Sequence, residues 1–337
     1  MLLAADLGGT KSSLALFGET DIRKPVFEKT FPTAETPSFE GMLEGFLGEA
    51  QARPTRAARP TRAARPTRAA LGLAGAITAG KVRATVLPWV IDAQSVRERF
   101  GLEKVELLND LIAAAYGCLA AQRGDYVELC SADALSQGTI AVLAAGTYLG
   151  TAFLVQDPKR GYIPMASEGS YADFSPHDGF QWELMGFLMR ERTHVMKKEV
   201  LSGQGLESIH RFLVEKSGKP VEQWFLEESR GKPVSAVIIE SGLSERCEIC
   251  SETLDRFVEI LAAEAGNLAA TLMATGGVYI TGGVAPRFRE RFEGPLFARV
   301  FLERGVLTPV MEKIPVRLVT NPQIPLLGAA WYARNRM

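Results

Sequence analysis

The apolar residues of this chain form short runs that end at pairs of glycines, a pattern typical of strands joined by tight turns. Runs at 2–5 and 12–17 predict the two strands of a hairpin whose turn is DLGGTK. The segment TIAVLAAGTYLGTAFLV at 139–155 predicts a second unit of strand, glycine turn and strand. Since 337 residues suffice for two cores, we expect two α/β domains, each opened by one of these hairpins.

Polar residues end another predicted strand. The segment VELLND at 105–110 is mostly apolar before Asn109 and Asp110, and the helical run LIAAAYGCLAA follows it. In open α/β sheets, ligands bind beyond the carboxyl ends of the strands, so this pair is a candidate site. The other predicted elements are helices at 39–50 and 243–273, strands at 70–77 and 314–319, a strand, glycine turn and helix start in GGVYITGGVAPRF, and a C-terminal helix in LLGAAWYA.

The unit RPTRAA occurs three times without change between positions 52 and 70. Its prolines prevent a continuous helix, and it has no large apolar residue to bury. We therefore expect residues 52–70 to form a basic surface loop inserted in the first domain. The six arginines of the repeat belong to a total of 38 Lys and Arg against 39 Asp and Glu, so the basic character is local. This argues against a nucleic-acid-binding protein, although a nucleic-acid-binding arm stays open as an alternative.

Composition excludes several other classes of protein. Hydrophobic residues make up 47% and charged residues 23% of the chain, which is typical of a soluble globular protein. No apolar run reaches the ~18 to 20 residues that span a bilayer, and Asp6 interrupts the apolar start that a signal peptide needs. We expect a cytoplasmic protein without a membrane partner. The pair Cys247 and Cys250 has no second pair or histidines near it in the sequence, which predicts two helical thiols rather than a zinc site.

Three glycine-containing turns are candidates for phosphate binding, because glycine lets backbone N–H groups crowd an anion without a Cβ in the way. They are DLGGTK at 6–11, AGTYLG at 145–150 and TGG at 281–283. None is a Walker A loop, since GxxxxGK[ST] is absent from the sequence. Each turn by itself is as compatible with a plain turn as with a site, so their order along the chain is more informative.

The order of these segments resembles the actin-like (ribonuclease H-like) ATPase fold and, within it, the bacterial glucokinase family. The matching segments run in order from residue 2 to residue 330 and are LAADLGGTKSSLALF, LPWVID, LLNDLIAAA, AAGTYLG, SEGSYADFSP, VLSGQGL, GGVYITGGVAPRF and IPVRLVTNPQIPLLGAA. The resemblance implies an α/β protein of two domains, 1–119 plus 322–337 and 120–321, with the active site in the cleft between them. It also implies transfer of the γ-phosphoryl group of ATP to the 6-hydroxyl of D-glucose, the first step of glycolysis, and a homodimer.

The resemblance gives roles to residues at the matching positions of the sugar site. Asp110 would be the general base that takes the sugar proton, and Asn109 would hydrogen-bond a neighbouring hydroxyl. Glu168, Tyr171 and Glu199 would complete the sugar site. A carboxylate at the end of a buried strand suits phosphoryl transfer, which needs positioning, charge neutralisation and a base. Capping of the following helix is the alternative role of Asp110.

The resemblance also implies a nucleotide site with Mg²⁺. Asp6 would hold the ion through water, because Mg²⁺ keeps much of its hydration shell. The residues expected to bind ATP lie in the three glycine turns and are Asp6, Leu7, Gly8, Gly9, Thr10, Lys11, Gly146, Thr147, Gly150, Gly282 and Gly283.

Four features depart from the pattern of that family. Tyr171 replaces a histidine that contacts the sugar, and Lys198 replaces a sugar-binding glutamate, with Glu199 one residue later. Tyr148 occupies a glycine position in the second turn, where a positive φ would strain a bulky residue, and Val86 stands where asparagine is common. A kinase for another hexose and a sugar- or nucleotide-binding relative without turnover therefore stay open as alternatives, as does a phosphoryl donor other than ATP.

Overall fold

The computed structural model describes residues 1–52, 65–75, 77–83, 87, 89–132 and 138–337. These residues form two compact units, Met1–Gln122 together with Gln323–Met337, and Arg123–Pro322. The unit boundaries fall a few residues from the domain boundaries expected from the sequence. Val86 and residues 53–64 of the repeat lie outside the described part of the chain, so the predictions made for them stay predictions.

The first unit contains two sheets and four helices over its described residues. Its strands are β1 (Leu2–Leu7), β2 (Lys11–Phe17), β3 (Pro25–Pro32), β4 (Arg68–Leu73), β5 (Ile77–Thr78), β6 (Lys81–Arg83), β7 (Val90–Asp92) and β8 (Lys104–Asn109). Its helices are α1 (Phe39–Ala52), α2 (Ala93–Phe100), α3 (Asp110–Ala120) and, near the end of the chain, α12 (Ile324–Asn335).

The larger sheet of this unit has the order β3-β2-β1-β4-β8. Strand β2 runs antiparallel to both neighbours, whereas β1, β4 and β8 are parallel, so the carboxyl ends of these three strands share one edge. In register, Leu7 pairs with Leu73, and Leu73 pairs with Asn109. Helix α1 contributes the fully buried rings of Phe39 and Phe46 to the core against this sheet.

Helices α3 and α12 pack backbone against backbone. A Cβ on Gly328 would lie 1.7 Å from the carbonyl oxygen of Ala113, and a Cβ on Gly117 would lie 2.1 Å from that of Ile324. Neither position has room for a side chain, so glycine is required for this approach. The contact fixes the first turns of α3 beside the parallel strands and thereby supports the chain where β8 ends.

The last three residues of the third repeat copy lie in a central strand of the first unit, contrary to the expected surface loop. Residues 68–70 begin β4, which pairs with β1 and β8, and both of their alanines are fully buried. The N–H of Thr67 donates to the carbonyl of Met1 at 3.0 Å. Since Ala52 ends α1, the expected loop over 52–70 is wrong at both ends. Alanine is small enough to fit between a sheet and its covering helices, so a segment without large apolar residues can still form a central strand.

The second unit contains one six-stranded sheet and eight helices over its described residues. Its strands are β9 (Tyr126–Cys130), β10 (Ile140–Ala145), β11 (Leu149–Asp157), β12 (Gly161–Ser167), β13 (Gly277–Thr281) and β14 (Val316–Val319). Its helices are α4 (Gly179–Leu188), α5 (Gly203–Ser217), α6 (Gln223–Glu228), α7 (Val234–Leu243), α8 (Glu248–Leu272), α9 (Arg289–Phe292), α10 (Pro295–Leu302) and α11 (Thr308–Met311).

The sheet of the second unit has the order β12-β11-β10-β13-β14-β9. Strands β10, β13 and β14 are parallel, and the other three run antiparallel to their neighbours. The first five strands in this order repeat the plan of the first sheet, with a three-strand meander followed by two parallel strands. Helix α8 covers the sheet with a buried face that includes Phe257, Leu261 and Ala265.

The predicted elements form with shifted ends, and one strand prediction is wrong. The expected strand at 70–77 is two strands, β4 and β5, because the chain turns at Gly75, whose φ of 136° favours glycine. The expected helix at 243–273 begins instead at Glu248, directly after its cap residue Cys247. Over the described residues, no helix is both long and apolar enough to cross a membrane.

Candidate active site

The carboxyl edge of the first sheet brings Asp6 and Asp110 together. Asp6 is the last residue but one of β1 and pairs in register with Gly72 of β4, which pairs in turn with Leu108 of β8. Asp110 lies just beyond this row, as the first residue of α3. Both carboxyl groups are half-buried. The predicted polar pair at the end of β8 thus shares its sheet edge with the first glycine turn.

Asn109 is the cap of α3, and this corrects the alternative role of Asp110 as a cap. The Oδ1 of Asn109 accepts the N–H of Leu111 at 3.0 Å and that of Ile112 at 3.4 Å. Its Nδ2 donates to the carbonyl of Gly75 at a long distance of 3.5 Å. Asp110 accepts one further bond from the N–H of Leu111 at 2.9 Å. The helix is therefore capped by the amide, and the carboxylate at the next position does not have to serve that purpose.

Burial raises the pKa of both carboxyl groups, and the charge of Asp110 adds to the shift at Asp6. Burial, together with the charge of Asp110, raises the pKa of Asp6 to about 6, although the charge of Lys11 acts in the opposite direction. Burial also raises the pKa of Asp110, against the lowering effect of the N–H of Leu111. The charge of Asp110 repels that of Asp6, and Lys11 opposes this effect. Such a pair of acidic groups favours the binding of a cation that prefers oxygen ligands.

The first glycine turn is held by Thr33, a residue that the sequence analysis missed. Thr33 is fully buried, its Oγ1 donates to the carbonyl of Gly8 at 2.7 Å, and this hydroxyl lies 2.9 Å from the Oγ of Ser12. The N–H of Thr33 also donates to the carbonyl of Thr10 at 3.1 Å. No motif marks Thr33, because its partners are distant in sequence and only the pairing of β2 with β3 brings them close.

The shape of this turn leaves its tip accessible. The N–H of Gly8 donates to the carbonyl of Lys11 at 3.1 Å, which closes the turn on itself. Gly9, Thr10 and the side chain of Lys11 are exposed, whereas Leu7 is buried in the sheet. The backbone groups at the tip are the ones available to an anion, and Leu7 can contribute only through its backbone.

The second and third glycine turns lie side by side in the second unit. Strands β10 and β13 are parallel neighbours, with Ala144 in register with Thr281, so both turns leave the same edge of the sheet. The position that a Cβ on Gly146 would occupy is 3.9 Å from the backbone nitrogen of Gly283. Gly150 follows as the residue of β11 that pairs with Ala144. Two of the three predicted phosphate turns are thus one local structure.

Gly282 and Gly283 differ in their surroundings. Gly282 has a φ of 99°, and its Cβ would lie 2.3 Å from the carbonyl oxygen of Ala145, which accepts the N–H of Val284 at 3.0 Å. By contrast, no described atom lies within 4 Å of the position of a Cβ on Gly283. Gly282 is therefore required by the path of the loop itself, and the space beside Gly283 is free for a bound group.

Tyr148 fits its turn without backbone strain. It is absent from the described non-glycine residues that have a positive φ, and its carbonyl accepts the N–H of Gly146 at 3.0 Å. Its side chain is 67% exposed, and Thr147 beside it is exposed as well. The strain that a positive φ would cause at this position is therefore absent.

Two short adjoining segments carry the residues expected to bind the sugar in the second unit. The N–H of Lys197 donates to the carbonyl of Ala172 at 2.9 Å, which joins the segments. The Nζ of Lys198 lies 4.0 Å from the ring centroid of Tyr171, in a cation–π contact. Tyr171 and Glu168 are exposed. The lysine that departs from the family pattern thus sits over the tyrosine that also departs from it.

Glu199 is turned into its own segment. One of its carboxylate oxygens forms an ion pair with Arg192, and the other accepts the N–H of Met196 at 2.8 Å. The side chain is only 14% exposed. Both carboxylate oxygens are thus engaged within the chain, and a sugar hydroxyl would share them with these partners.

Comparison with known proteins places this architecture in a family. The model of the glucokinase family matches residues 3–336. The chain belongs to the glucokinase family. One relative in this family, the glucokinase of Nostoc punctiforme, is 30% identical over 346 residues, covering 98% of each chain.

Solved glucokinase structures have the same fold. The glucokinase from an Antarctic psychrotroph is similar with a TM-score of 0.85 and 28% identity, over 99% of this chain and 98% of that one. A ROK family glucokinase from Streptomyces griseus, solved in complex with glucose and AMPPNP, has a TM-score of 0.64 and 17% identity, over 99% of each chain. The expected α/β, actin-like ATPase fold and the expected glucokinase family are thereby confirmed.

Proposed function

We propose that this member of the glucokinase family transfers the γ-phosphoryl group of ATP to the 6-hydroxyl of D-glucose, giving glucose 6-phosphate and ADP. The family match over residues 3–336 supports this reaction, the first step of glycolysis. The roles proposed for individual residues rest on one observation: the carboxyl groups of Asp6 and Asp110 lie together at the carboxyl edge of three parallel strands.

Asp110 is the general base of this proposal. Its carboxylate takes the proton of the 6-hydroxyl as the sugar oxygen attacks the γ-phosphorus. Burial raises the pKa of Asp110, so the carboxylate holds a transferred proton more firmly than an ordinary aspartate does. Asn109 fixes the start of α3 and so positions Asp110, while its Nδ2 is the group left to donate to a neighbouring sugar hydroxyl.

The glycine turns form the nucleotide site of this proposal. The phosphates of ATP lie against Gly8, Gly9 and Thr10, with Gly9 and Thr10 at the exposed tip supplying backbone N–H groups because that of Gly8 is bonded to Lys11. The joined turns of the second unit serve the rest of ATP through Gly146, Thr147, Gly150, Gly282 and Gly283. Two observations, each within its own unit, support this proposal: the space beside Gly283 is open, and the first turn is held by Thr33 with an exposed tip. Bound Mg²⁺ would neutralise phosphate charge, and the half-buried carboxyl of Asp6, which the charge of Asp110 repels, fits the role of holding it through water.

The sugar acceptor depends on an altered set of side chains. Glu168 is exposed and able to accept hydrogen bonds from hydroxyl groups, whereas Glu199 is already paired with Arg192. Each lost sugar hydrogen bond would cost about 1 kcal/mol, so two such losses would weaken glucose binding by about ten- to a hundredfold. Glucose is the first acceptor to test, with other hexoses beside it.

The decisive experiment is a coupled assay with ATP and Mg²⁺ over a panel of hexoses, for the parent chain and Asp110→Asn. Removing the base should lower kcat by about 10²–10⁴-fold. The melting temperature should stay the same or rise, because the amide removes a half-buried charge. Asp92→Asn is the matched control: Asp92 also lies at a helix start in the first unit, where it caps α2, and asparagine can replace it as a cap.

Two results would contradict the proposal in different ways. Full turnover by Asp110→Asn would remove Asp110 from its role as the base while leaving the reaction intact. If the parent chain phosphorylated no hexose, although glucose or ATP still raised its melting temperature, the chain would be a binding relative without turnover. The observation that favours this second candidate is that both carboxylate oxygens of Glu199 already have partners, Arg192 and the N–H of Met196.

Three further expectations accompany the proposal and stay predictions. They are a cytoplasmic location, a homodimer, and a repeat that does not bind nucleic acid. Sedimentation of the full chain would give its oligomeric state, and a salt titration of DNA binding would test the repeat, since phosphate contacts weaken as salt rises.

A further inference from the structure

The fold brings His210 next to the cysteine pair that the sequence left without a partner. His210 lies on α5, Cys247 is the cap of α8, and Cys250 lies in the first turn of α8. One ligand atom from each of the three side chains lies within 4.8 Å of the others, and both cysteines are free thiols. The interpretation of two isolated helical thiols therefore needs revision, because a histidine distant in sequence is their neighbour.

The three atoms are close to the spacing that a tetrahedral soft-metal site requires. With Zn–S bonds of about 2.3 Å and Zn–N bonds of about 2.0 Å, tetrahedral angles place the donors roughly 3.5 to 3.8 Å apart. The three donor atoms lie within 4.8 Å of one another, which is within about 1 Å of that spacing. Two thiolates and one imidazole favour Zn²⁺ over the hard cation Mg²⁺.

The surroundings of the cluster suit metal ligands. The N–H of Cys250 donates to the Sγ of Cys247 at 3.1 Å, so the two cysteines share the first turn of α8. The ring of His210 stacks on Phe225 with centroids 4.7 Å apart, and within the described residues its nitrogens have no hydrogen-bond partner.

A cavity adjoins the histidine of the cluster. His210 lines this cavity of about 480 Å³ within the second unit, together with Phe225 and several charged residues. Arg211 of that lining is already paired with Glu191 at 2.6 Å, so the cavity is not a vacant anion site. Cys247 is only half-buried, which leaves room for water as a fourth ligand.

We infer that His210, Cys247 and Cys250 form a binding site for one Zn²⁺ ion, separate from the Mg²⁺ expected at Asp6. Binding replaces the two thiol protons, which pass to solvent, with two Zn–S bonds and adds one Zn–N bond, without any redox change. The ion joins α5 to the start of α8 and completes its coordination with water.

The test uses the full chain purified under reducing conditions, stripped with EDTA, dialysed and titrated with Co²⁺ as a spectroscopic probe. We expect a thiolate-to-cobalt charge-transfer band and tetrahedral visible bands that saturate at one equivalent, and that Zn²⁺ then abolishes. Zn²⁺ alone should raise the melting temperature and protect Cys247 and Cys250 from alkylation, as mapped by mass spectrometry. Mg²⁺ should do neither.

Matched variants distinguish a specific metal site at the cluster from nonspecific metal binding elsewhere on the protein. His210→Phe keeps the stacking shape, and it should weaken Co²⁺ binding at least about a hundredfold, since loss of even a supporting partner costs ten- to a hundredfold. Cys247→Ser should remove the charge-transfer band, whereas Cys130→Ser, which changes a half-buried cysteine on β9, should leave it unchanged. Circular dichroism in EDTA checks that each variant is folded.

Several results would overturn the inference. The parent chain could show no charge-transfer band, or the band could persist in the variant that lacks both Cys247 and Cys250. Recovery of a disulfide between these two cysteines from protein kept free of oxidants, with no metal bound after reduction, would also overturn it. If the cysteine variants did not fold, the alkylation pattern of the parent chain with and without Zn²⁺ would decide the question by itself.

Discussion

Replacing Gly282 with alanine tests how the joined glycine turns of the second unit are built, because Gly283 next to it supplies a control. The two glycines are neighbours in sequence, yet only Gly282 has a positive φ and a carbonyl oxygen 2.3 Å from the position of its Cβ. Ordinary contacts begin near 3.4 Å, so the chain around Ala145 would have to move by about 1 Å.

The cost of this change follows from two effects. A residue with a side chain held at this φ is strained by about 1–3 kcal/mol. Displacing the carbonyl of Ala145 adds about 1–3 kcal/mol of overpacking, and it disturbs the bond that this oxygen accepts from Val284. A total near 4 kcal/mol would lower the melting temperature by about 8–16 °C for a unit of this size.

The assay combines thermal unfolding with nucleotide kinetics for both alanine variants. Gly282→Ala should lose stability and activity together, because the loop itself is deformed. Gly283→Ala should melt close to the parent temperature, since no described atom lies near its new Cβ, but should raise the KM for ATP if the nucleotide occupies that space. Equal melting temperatures for the two variants would refute the reasoning about Gly282, and an unchanged KM for Gly283→Ala would remove Gly283 from the nucleotide site.

Two further predictions concern the first unit. Thr33→Val removes the hydroxyl bonded to Gly8 and Ser12, so it should lower the free energy of unfolding by about 2 kcal/mol and raise the KM for ATP. Thr30→Val is the control, because it changes an exposed hydroxyl pair between β2 and β3 and should alter both quantities by much less. Equal effects in the two variants would contradict this reasoning. The carboxyl of Asp6 binds its proton more tightly in the folded chain, with a pKa of about 6 against an ordinary 3.8, so in EDTA the free energy of unfolding should fall by up to about 3 kcal/mol as pH rises from about 4 to 7. Asp6→Asn should flatten that dependence in melting curves, and an unchanged slope would show that another group is responsible.

Much of the candidate site follows from local sequence. The alternation of apolar residues around DLGGTK and GTYLG dictates hairpins, and an apolar strand that ends in Asn109 and Asp110 places a carboxylate at the edge of a sheet. These features depend on residues close together in the chain, which is why periodicity and turn chemistry identify them. The family resemblance rests on the same segments.

Other features required the folded chain. The buried hydroxyl of Thr33, the pairing of Glu199 with Arg192 and the inclusion of residues 68–70 of the repeat in β4 depend on which distant residues become neighbours.

The cysteine pair shows the physical reason most directly. Its spacing is visible in the sequence, but His210 becomes a third possible ligand only because α5 packs beside the start of α8. The sequence determined which chemical groups this protein carries and on which elements they lie. The tertiary structure decided which of those groups meet, because a contact depends on the path of the whole chain rather than on local pattern.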